Sequence, residues 1–453
     1  MEAATKESRP LFTNQQLCAL IVPLLIEQLL AVAVGMADTM MVSQAGEAAV
    51  SGVSLVDMIN NLIIYLFSAL ATGGAVVTSQ FIGARRIREA GDSAGQLVLL
   101  SLLSGLGILA FCLLCGRPVM RLFFGSITED VMEAGLLYLR ITAVSYPFLA
   151  LYNAGAALFR SVGNSGISMR VSIVMNLINI VGNAIGVLVL HLGVAGVALP
   201  TLISRAVAAF LILRAAEHGA GPVQLHLRGL RLRGHMVRRI LEIGVPSAVE
   251  NGLFQLGRLL VVSIIATFGT AQIAANAVAN NLDGMAILGG QALGLATITV
   301  VGQCVGAGDY AQARRYNRKL MLISWLLIAA SAAVILTSLP LLLNLYNISD
   351  EARVLSAQLV RLHNIPAIAL WCLSFTLPNT LRAAGDARFT MVVSIVSMAV
   401  FRIGFSVVLG IWMGMGAIGV WIAMDIDWVC RVICFVARYF SGAWTRKYQN
   451  YQA

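Results

Sequence analysis

Lysine is almost missing from this chain: among 453 residues only Lys6, Lys319 and Lys447 occur. None follows a glycine, so there is no Walker A phosphate loop and no case for direct ATP use. Charge of either sign is scarce, at 11% of residues against roughly 25% in an ordinary soluble domain. With 59% hydrophobic residues, the chain has too little polar surface for a soluble protein of its size. The seven cysteines form no framework, and Cys112-x-x-Cys115 sits in an apolar run without His or Cys partners, so no metal site or disulfide is expected. No HExxH or other catalytic constellation occurs, which argues against an enzyme and against any cofactor. Gly163-Asn164-Ser165-Gly166 has the outline of a nucleophilic-serine motif but lies in a basic loop and reads as a turn. The net charge of +10 comes from arginines clustered between long apolar runs, not along one face or tail, which speaks against nucleic acid as a partner.

Apolar length is what the chain has in excess. A span needs about 20 apolar residues to cross about 30 Å of hydrocarbon. Twelve such segments can be drawn, the first at about 16–42, the fifth at 168–190, the seventh at 240–267 and the last at 416–440. The expected fold is therefore an all-α polytopic membrane protein with 12 transmembrane helices. Lys6 and Arg9 precede the first run and no small-residue cleavage site follows it, so that run is expected to be retained. An even number of spans puts both termini on one side, and 24 of the 31 basic residues fall there against 3 on the other. The positive-inside rule makes that side cytoplasmic, in a plasma membrane. Asn347-Ile348-Ser349 is a sequon in an outer loop.

Residues 23–90 align without a gap on 246–313 at an offset of 223, with Pro23/Pro246, Glu27/Glu250, Gly46/Gly269, Gln80/Gln303 and Gly83-Ala84/Gly306-Ala307 matched. A second match, at an offset of 222, pairs 159–164 with 381–386. Six helices plus six in one orientation imply two pseudo-symmetric six-helix bundles, with a site in the cleft between them. The expected division is residues 1–214, a basic linker at 215–239 and a second lobe at 240–453.

Ionisable residues within spans are costly and ask for a reason. Counted at 1.5 Å per residue, Arg402 and Asp427 share a depth in the last two spans, and so do Arg258 and Asp283 in the seventh and eighth. Each reads as an interhelical pair. Asp38 differs, because its repeat partner Val261 is apolar, and a carboxylate in one half only points to specialised function. Asn176, Asn179 and Asn183 recur at helical spacing on one face of the fifth span, where the repeat partners are Met398, Phe401 and Phe405. One carboxylate among amide and hydroxyl oxygens suits Na⁺ or a protonatable acid. The duplicated Pro-x-x-x-Glu at Glu27 and Glu250 reads as a hinge with a locally satisfied carboxyl or as function. Asp57, Asn61, Gln255, Arg258 and Asp283 join these two as cavity candidates.

Asp38-Thr39-Met40-Met41-Val42, Gln80-Phe81-Ile82-Gly83-Ala84 and the two matched segments at 159–164 and 381–386, in this order over twelve spans, resemble the multidrug and toxic compound extrusion (MATE) family. Pro246 to Glu250 looks like its bacterial DinF-like branch. The resemblance implies efflux of amphipathic, often cationic compounds by antiport with Na⁺ or H⁺, and a protein acting as a monomer. It also implies a coupling site at Asp38, Asn179, Asn183 and Thr201, with Asp38 the point at which Na⁺ would bind. Asn183 departs from members with an acid there. The acidic second-lobe site of other branches is not matched either, because the tenth span offers Arg361, His363 and Asn364. The alternative is a flippase for lipid-linked precursors, which needs several cavity cations; Arg258 and Arg361 are the candidates.

Overall fold

The computed structural model describes residues 10–42, 47–125, 128–218, 223, 225, 231–346 and 348–449. Lys6, Arg9, Gly46, Arg228 with most of the linker, and Asn347 of the sequon lie outside the described residues. Within the described residues every element is helical. They are α1 (Asn14–Val42), α2 (Glu47–Gly83), α3 (Ile87–Phe124), α4 (Glu129–Val144 and Tyr146–Ser161), α5 (Ser165–Val189) and α6 (Ala195–Glu217). The second half comprises α7 (Gly234–Ala266), α8 (Thr270–Ala286 and Leu288–Gly306), α9 (Tyr310–Asn344), α10 (Asp350–Ala383), α11 (Ala387–Trp412) and α12 (Gly416–Phe440), followed by a short α13 (Ala443–Gln449).

Ten of these helices are long and apolar enough to cross a membrane, or eleven with the two α4 segments taken as one. The α4 segments meet at 46°, where Pro147 opens the second one and cannot continue the hydrogen-bond ladder of the first. The twelfth span, α12, differs in carrying three charged residues, Asp425, Asp427 and Arg431, in its middle. Leu114, Leu122 and Phe440 are each more than 80% exposed, an arrangement that only a lipid environment makes favourable.

Packing divides the helices as the repeat requires. In the first half α1 packs on α5, α5 on α6, and α2 on α3 and α4; in the second α7 packs on α11, α8 on α9 and α10, and α11 on α12. The bounds of α2 and α8 coincide at the 223 offset. The halves meet through α2 against α7 and α8, and through α1 against α8.

The matched glycines and glutamines sit at that contact. A Cβ on Gly83 would lie 1.9 Å from the Gln303 carbonyl oxygen, and one on Gly306 would lie 1.9 Å from that of Gln80, so only glycine lets the helix ends touch backbone to backbone. Gln80 Nε2 donates to the Ala383 carbonyl at 2.8 Å, and Gln303 Nε2 donates to the Ser161 carbonyl at 2.7 Å. These two bonds are mates under the repeat, and each crosses from one lobe to the other. They lie on the face where the first and last described segments pack, because Phe12 meets Tyr316 at the start of α9 and Tyr310 meets Trp444 of α13.

The clasp should therefore hold the lobes shut on this face. At about 1 kcal/mol per buried hydrogen bond, the double substitution Gln80→Ala/Gln303→Ala should shift the closed-to-open ratio by roughly thirtyfold. Spin labels at the repeat-related exposed positions Arg88 and Ala311 would report the change as a population at longer distance. An unchanged distance distribution would show that the clasp does not govern the closed state.

Candidate functional site

Two cavities differ in charge: one lies within the first lobe, and the other is walled mainly by the second lobe and completed by Gln28, Tyr65, Ser68 and Thr72 of the first. The first, about 560 Å³, is lined by Asp38 of α1, Asp57, Asn60 and Asn61 of α2, Tyr138 of α4, Asn176 and Asn179 of α5, and Thr201 and Arg205 of α6. Within it one hydrogen-bonded chain crosses three helices. Asn183 Nδ2 donates to Asp38 Oδ1 at 2.8 Å and approaches Asn179 Oδ1 at 3.3 Å. Asn179 Nδ2 donates to Thr201 Oγ1 at 3.0 Å, and that hydroxyl donates to the Val197 carbonyl at 3.0 Å. The four residues implied by the family resemblance thus come together. The period of α5 is the reason: Asn179 and Asn183, one turn apart, present both amides to the same neighbours. Asn183 Oδ1 is buried with no hydrogen-bond partner, an acceptor left open beside a carboxylate.

Asp57 forms a second cluster in the same cavity. Asn60 Nδ2 and the Tyr138 hydroxyl donate to its Oδ1 at 3.0 and 3.2 Å, and Tyr146 donates to Asn60 Oδ1 at 2.6 Å. Arg205 enters from α6 and donates to Ser145 Oγ at 2.8 Å.

The duplicated glutamates lie outside this cavity and make equivalent ties. Ser168 Oγ of α5 donates to Glu27 Oε1 at 2.6 Å. Its repeat mate Thr390 of α11 donates to Glu250 Oε2 at 3.4 Å, and Ser394 donates to Oε1 at 2.6 Å. In both halves the glutamate after the helix proline therefore pins the first helix of the lobe to the fifth. Glu250 is also paired with Arg382 at 2.7 Å.

The second cavity, about 500 Å³, is lined by Glu250, Gln255, Arg258, Asp283, Arg382, Arg402 and Arg431, with Phe254, Trp371, Phe375 and Trp428 as its aromatic wall. Arg402 Nε lies 3.0 Å from Asp427 Oδ2, and Arg431 Nε lies 3.0 Å from Oδ1. Asp427 is fully buried and also accepts from the Ser397 hydroxyl. Both guanidinium groups lie over the Phe254 ring, 5.1 and 5.3 Å from its centroid.

Three expectations need correction. Asp283 does not pair with Arg258: the ion pairs among the described residues join it instead to His363 Nε2 at 3.6 Å, and His363 Nδ1 contacts Asp425 Oδ1 at 2.6 Å. Equal depth in two antiparallel helices leaves open which way each side chain turns. Nor do the apolar repeat partners Met398, Phe401 and Phe405 leave the second lobe without interior charge. Phe401 and Phe405 do stack, at 5.8 Å, but Arg402 between them is buried. The reason is the π-helical winding of Met398–Gly404 and Ser406–Trp412, which rotates the faces of α11 away from those of an ideal helix. Finally, Arg205, Arg382 and Arg431 are interior residues of the lobes rather than loop charges, which leaves 21 basic residues against 3 in the count of sides.

Sequence reasoning passed over His363, Asp425, Arg205 and Arg382 as site residues. Asp425 carried a signal, being a carboxylate within an apolar run, and Arg382 carried another as the repeat mate of Arg160. Ser165 donates to the Leu20 carbonyl at 2.6 Å beside Gly163 at φ +87°, so the serine motif is a turn.

Comparison with known proteins bears on this architecture directly. The MatE family model matches residues 23–185 and again 246–408, two stretches 223 residues apart at both ends. The chain belongs to the MATE family, whose members are multidrug efflux transporters. It is 29% identical to the uncharacterized transporter YisQ of Bacillus subtilis over 98% of both chains. It is 23% identical to the probable multidrug resistance protein NorM of Thermotoga maritima, over 96% of this chain and 94% of that protein. A solved outward-facing conformation of a multidrug resistance MATE family transporter superposes with a TM-score of 0.89 at 22% identity, over 95% of this chain and 96% of that one. The twelve-span, two-lobe architecture is thus the MATE fold. Among the described residues no group of three or more His, Cys, Asp or Glu could hold a metal ion.

Proposed function

We propose that this MATE protein is an antiporter that exports amphipathic small molecules in exchange for an inward cation, Na⁺ or H⁺. The observation that carries this reading is the chain Asp38–Asn183–Asn179–Thr201, present in one lobe only, with Asp38, Asn179 and Thr201 facing a cavity and Asn183 buried behind them. A carboxylate beside an open amide acceptor suits a small monovalent cation. A proton on Asp38 would turn it into a donor for an amide oxygen, and Na⁺ would take the carboxylate, amide and hydroxyl oxygens as ligands. With the arginine-rich face taken as cytoplasmic, the clasp at Gln80 and Gln303 closes the cleft toward the cytoplasm of a plasma-membrane monomer. Alternating access then consists of opening that clasp while the far side closes.

Asp38 and Asp57 against the single Arg205 make the first cavity acidic, which favours a cationic group on the substrate. The flippase reading loses support. Arg361 is absent from the lining of the second cavity, and Arg382, Arg402 and Arg431 are committed to carboxylates, which leaves only Arg258 for a pyrophosphate.

The test is uptake of a cationic dye into proteoliposomes, with an imposed Na⁺ gradient and an imposed pH gradient applied separately. One gradient should drive accumulation and the other should not. No accumulation under either would overturn the antiport reading.

A further inference from the structure

The charge of the second cavity is unbalanced at one place. Of its four lining arginines, Arg382 is held by Glu250, and Arg402 and Arg431 share Asp427. Arg258 is exposed, and among the described residues no carboxylate lies within ion-pair distance of it and no hydrogen bond engages it. Asp283 feels its charge from farther off but is turned toward His363.

Arg258 does not stand alone on its helix face. Asn251, Phe254, Gln255 and Arg258 are spaced i, i+3, i+4 and i+7 along α7, so they share one stripe, and all four line the cavity. Two amides and a guanidinium offer a set of N–H donors with no acceptor assigned to them. Across from this stripe stands an aromatic wall in which Trp371 and Phe375 stack at 5.2 Å and Phe375 meets Trp428 edge-on at 5.5 Å. A cavity with donors along one side and rings along the other suits a flat ligand with one anionic end.

We propose that the second-lobe cavity binds substrates with an aromatic body and an anionic head, a carboxylate, sulfonate or phosphate, with the head at Arg258 and the body against Trp371, Phe375 and Trp428. The inference rests on the export reading and deepens it, because it gives the second lobe a recognition role separate from cation coupling in the first. A cationic head placed here would face the unpaired Arg258 and three further guanidinium groups whose carboxylate partners are already engaged. Substrates carrying both charges would find complementary groups in the two cavities, the cation at Asp57 and the anion at Arg258.

The test is equilibrium dialysis of the full chain in lipid nanodiscs, with empty nanodiscs subtracted, using 2-naphthalenesulfonate, 2-naphthalenemethanol and 2-naphthylmethylammonium as matched probes. The sulfonate should bind tightest and the ammonium weakest, and sulfonate binding should weaken as salt rises. Arg258→Gln should weaken the sulfonate about tenfold, as expected for loss of one charge-assisted contact, and leave the alcohol nearly unchanged. Arg258→Lys should recover part of the loss. The proposal is overturned if the ammonium binds as tightly as the sulfonate, or if Arg258→Gln binds the sulfonate like the unaltered chain. Should Arg258→Gln not fold, the ranking of the three probes on the unaltered chain decides the matter. Because no ion gradient is applied, failure here leaves the antiport reading standing, and failure of dye accumulation leaves this one standing.

Discussion

Asp427→Ala should cost about 3–5 kcal/mol of fold stability, the range for removing one partner of a buried ion network. The size follows from what is left behind. Arg402 and Arg431 are 4% and 2% exposed, and both depend on this one carboxylate for charge balance. Without it, two guanidinium groups would face each other over the Phe254 ring with only the Ser394 carbonyl and hydroxyl to receive Arg431. Asp427→Asn keeps the shape and the acceptor oxygen, so it should cost less than the alanine variant. The triple change Arg402→Met/Asp427→Leu/Arg431→Met should regain much of the loss, since a closed ionic network is often replaceable by apolar groups of similar volume. Thermal unfolding in detergent, followed by the monodisperse fraction that survives heating, would measure all three. A melting temperature for Asp427→Ala within a degree or two of the unaltered chain would show that the network carries no stability.

Much of the architecture was legible because it rests on one-dimensional signals. Apolar length marks the spans, and the 223-residue offset marks the duplication. That offset reappears in the matching bounds of α2 and α8 and in the two family matches. The Asp38 cluster was legible for a related reason. Asn179 and Asn183 share a helix face by spacing, and the missing carboxylate at Val261 sets Asp38 apart from the scaffold. The rest depended on relations the sequence does not encode locally. His363 meets carboxylates from α8 and α12, and which helices surround it follows from how three helices turn toward one another. The Arg402–Asp427 pair was legible from shared depth, but Arg431, read as a charge of the tail, joins the same carboxylate from within α12. Gln80 and Gln303 were visible as repeated residues, but their role appears only when each is seen to reach a carbonyl in the opposite lobe.

Asp38→Asn should abolish gradient-driven export while leaving the folded protein intact. Asparagine has nearly the same shape, and Asp38 is only partly buried, so the exchange opens no void. Its Oδ1 can still accept from Asn183 Nδ2, and the neighbouring bond from Asn179 to Thr201 does not involve it. The substitution therefore removes a charge and a protonatable oxygen and little else. Coupling requires that the cation favour one conformation of the lobes over the other. Linkage then obliges the drug's affinity to change by the same factor, typically 5- to 150-fold for site-to-site coupling in proteins. A variant whose site binds the cation equally in both conformations loses that factor, so the cation should no longer change the drug's affinity and the gradient should no longer drive export. Drug binding measured at equilibrium, without any gradient, should change far less. The decisive comparison is dye accumulation in proteoliposomes of matched protein content, with and without the gradient. Asp38→Asn should give the same slow leak in both conditions, whereas the unaltered chain should respond to the gradient. Gradient-stimulated accumulation by the variant at the unaltered rate would place coupling elsewhere, and the His363–Asp283–Asp425 cluster of the second lobe, with its buried carboxylate and imidazole atoms lacking hydrogen-bond partners, would become the next site to alter.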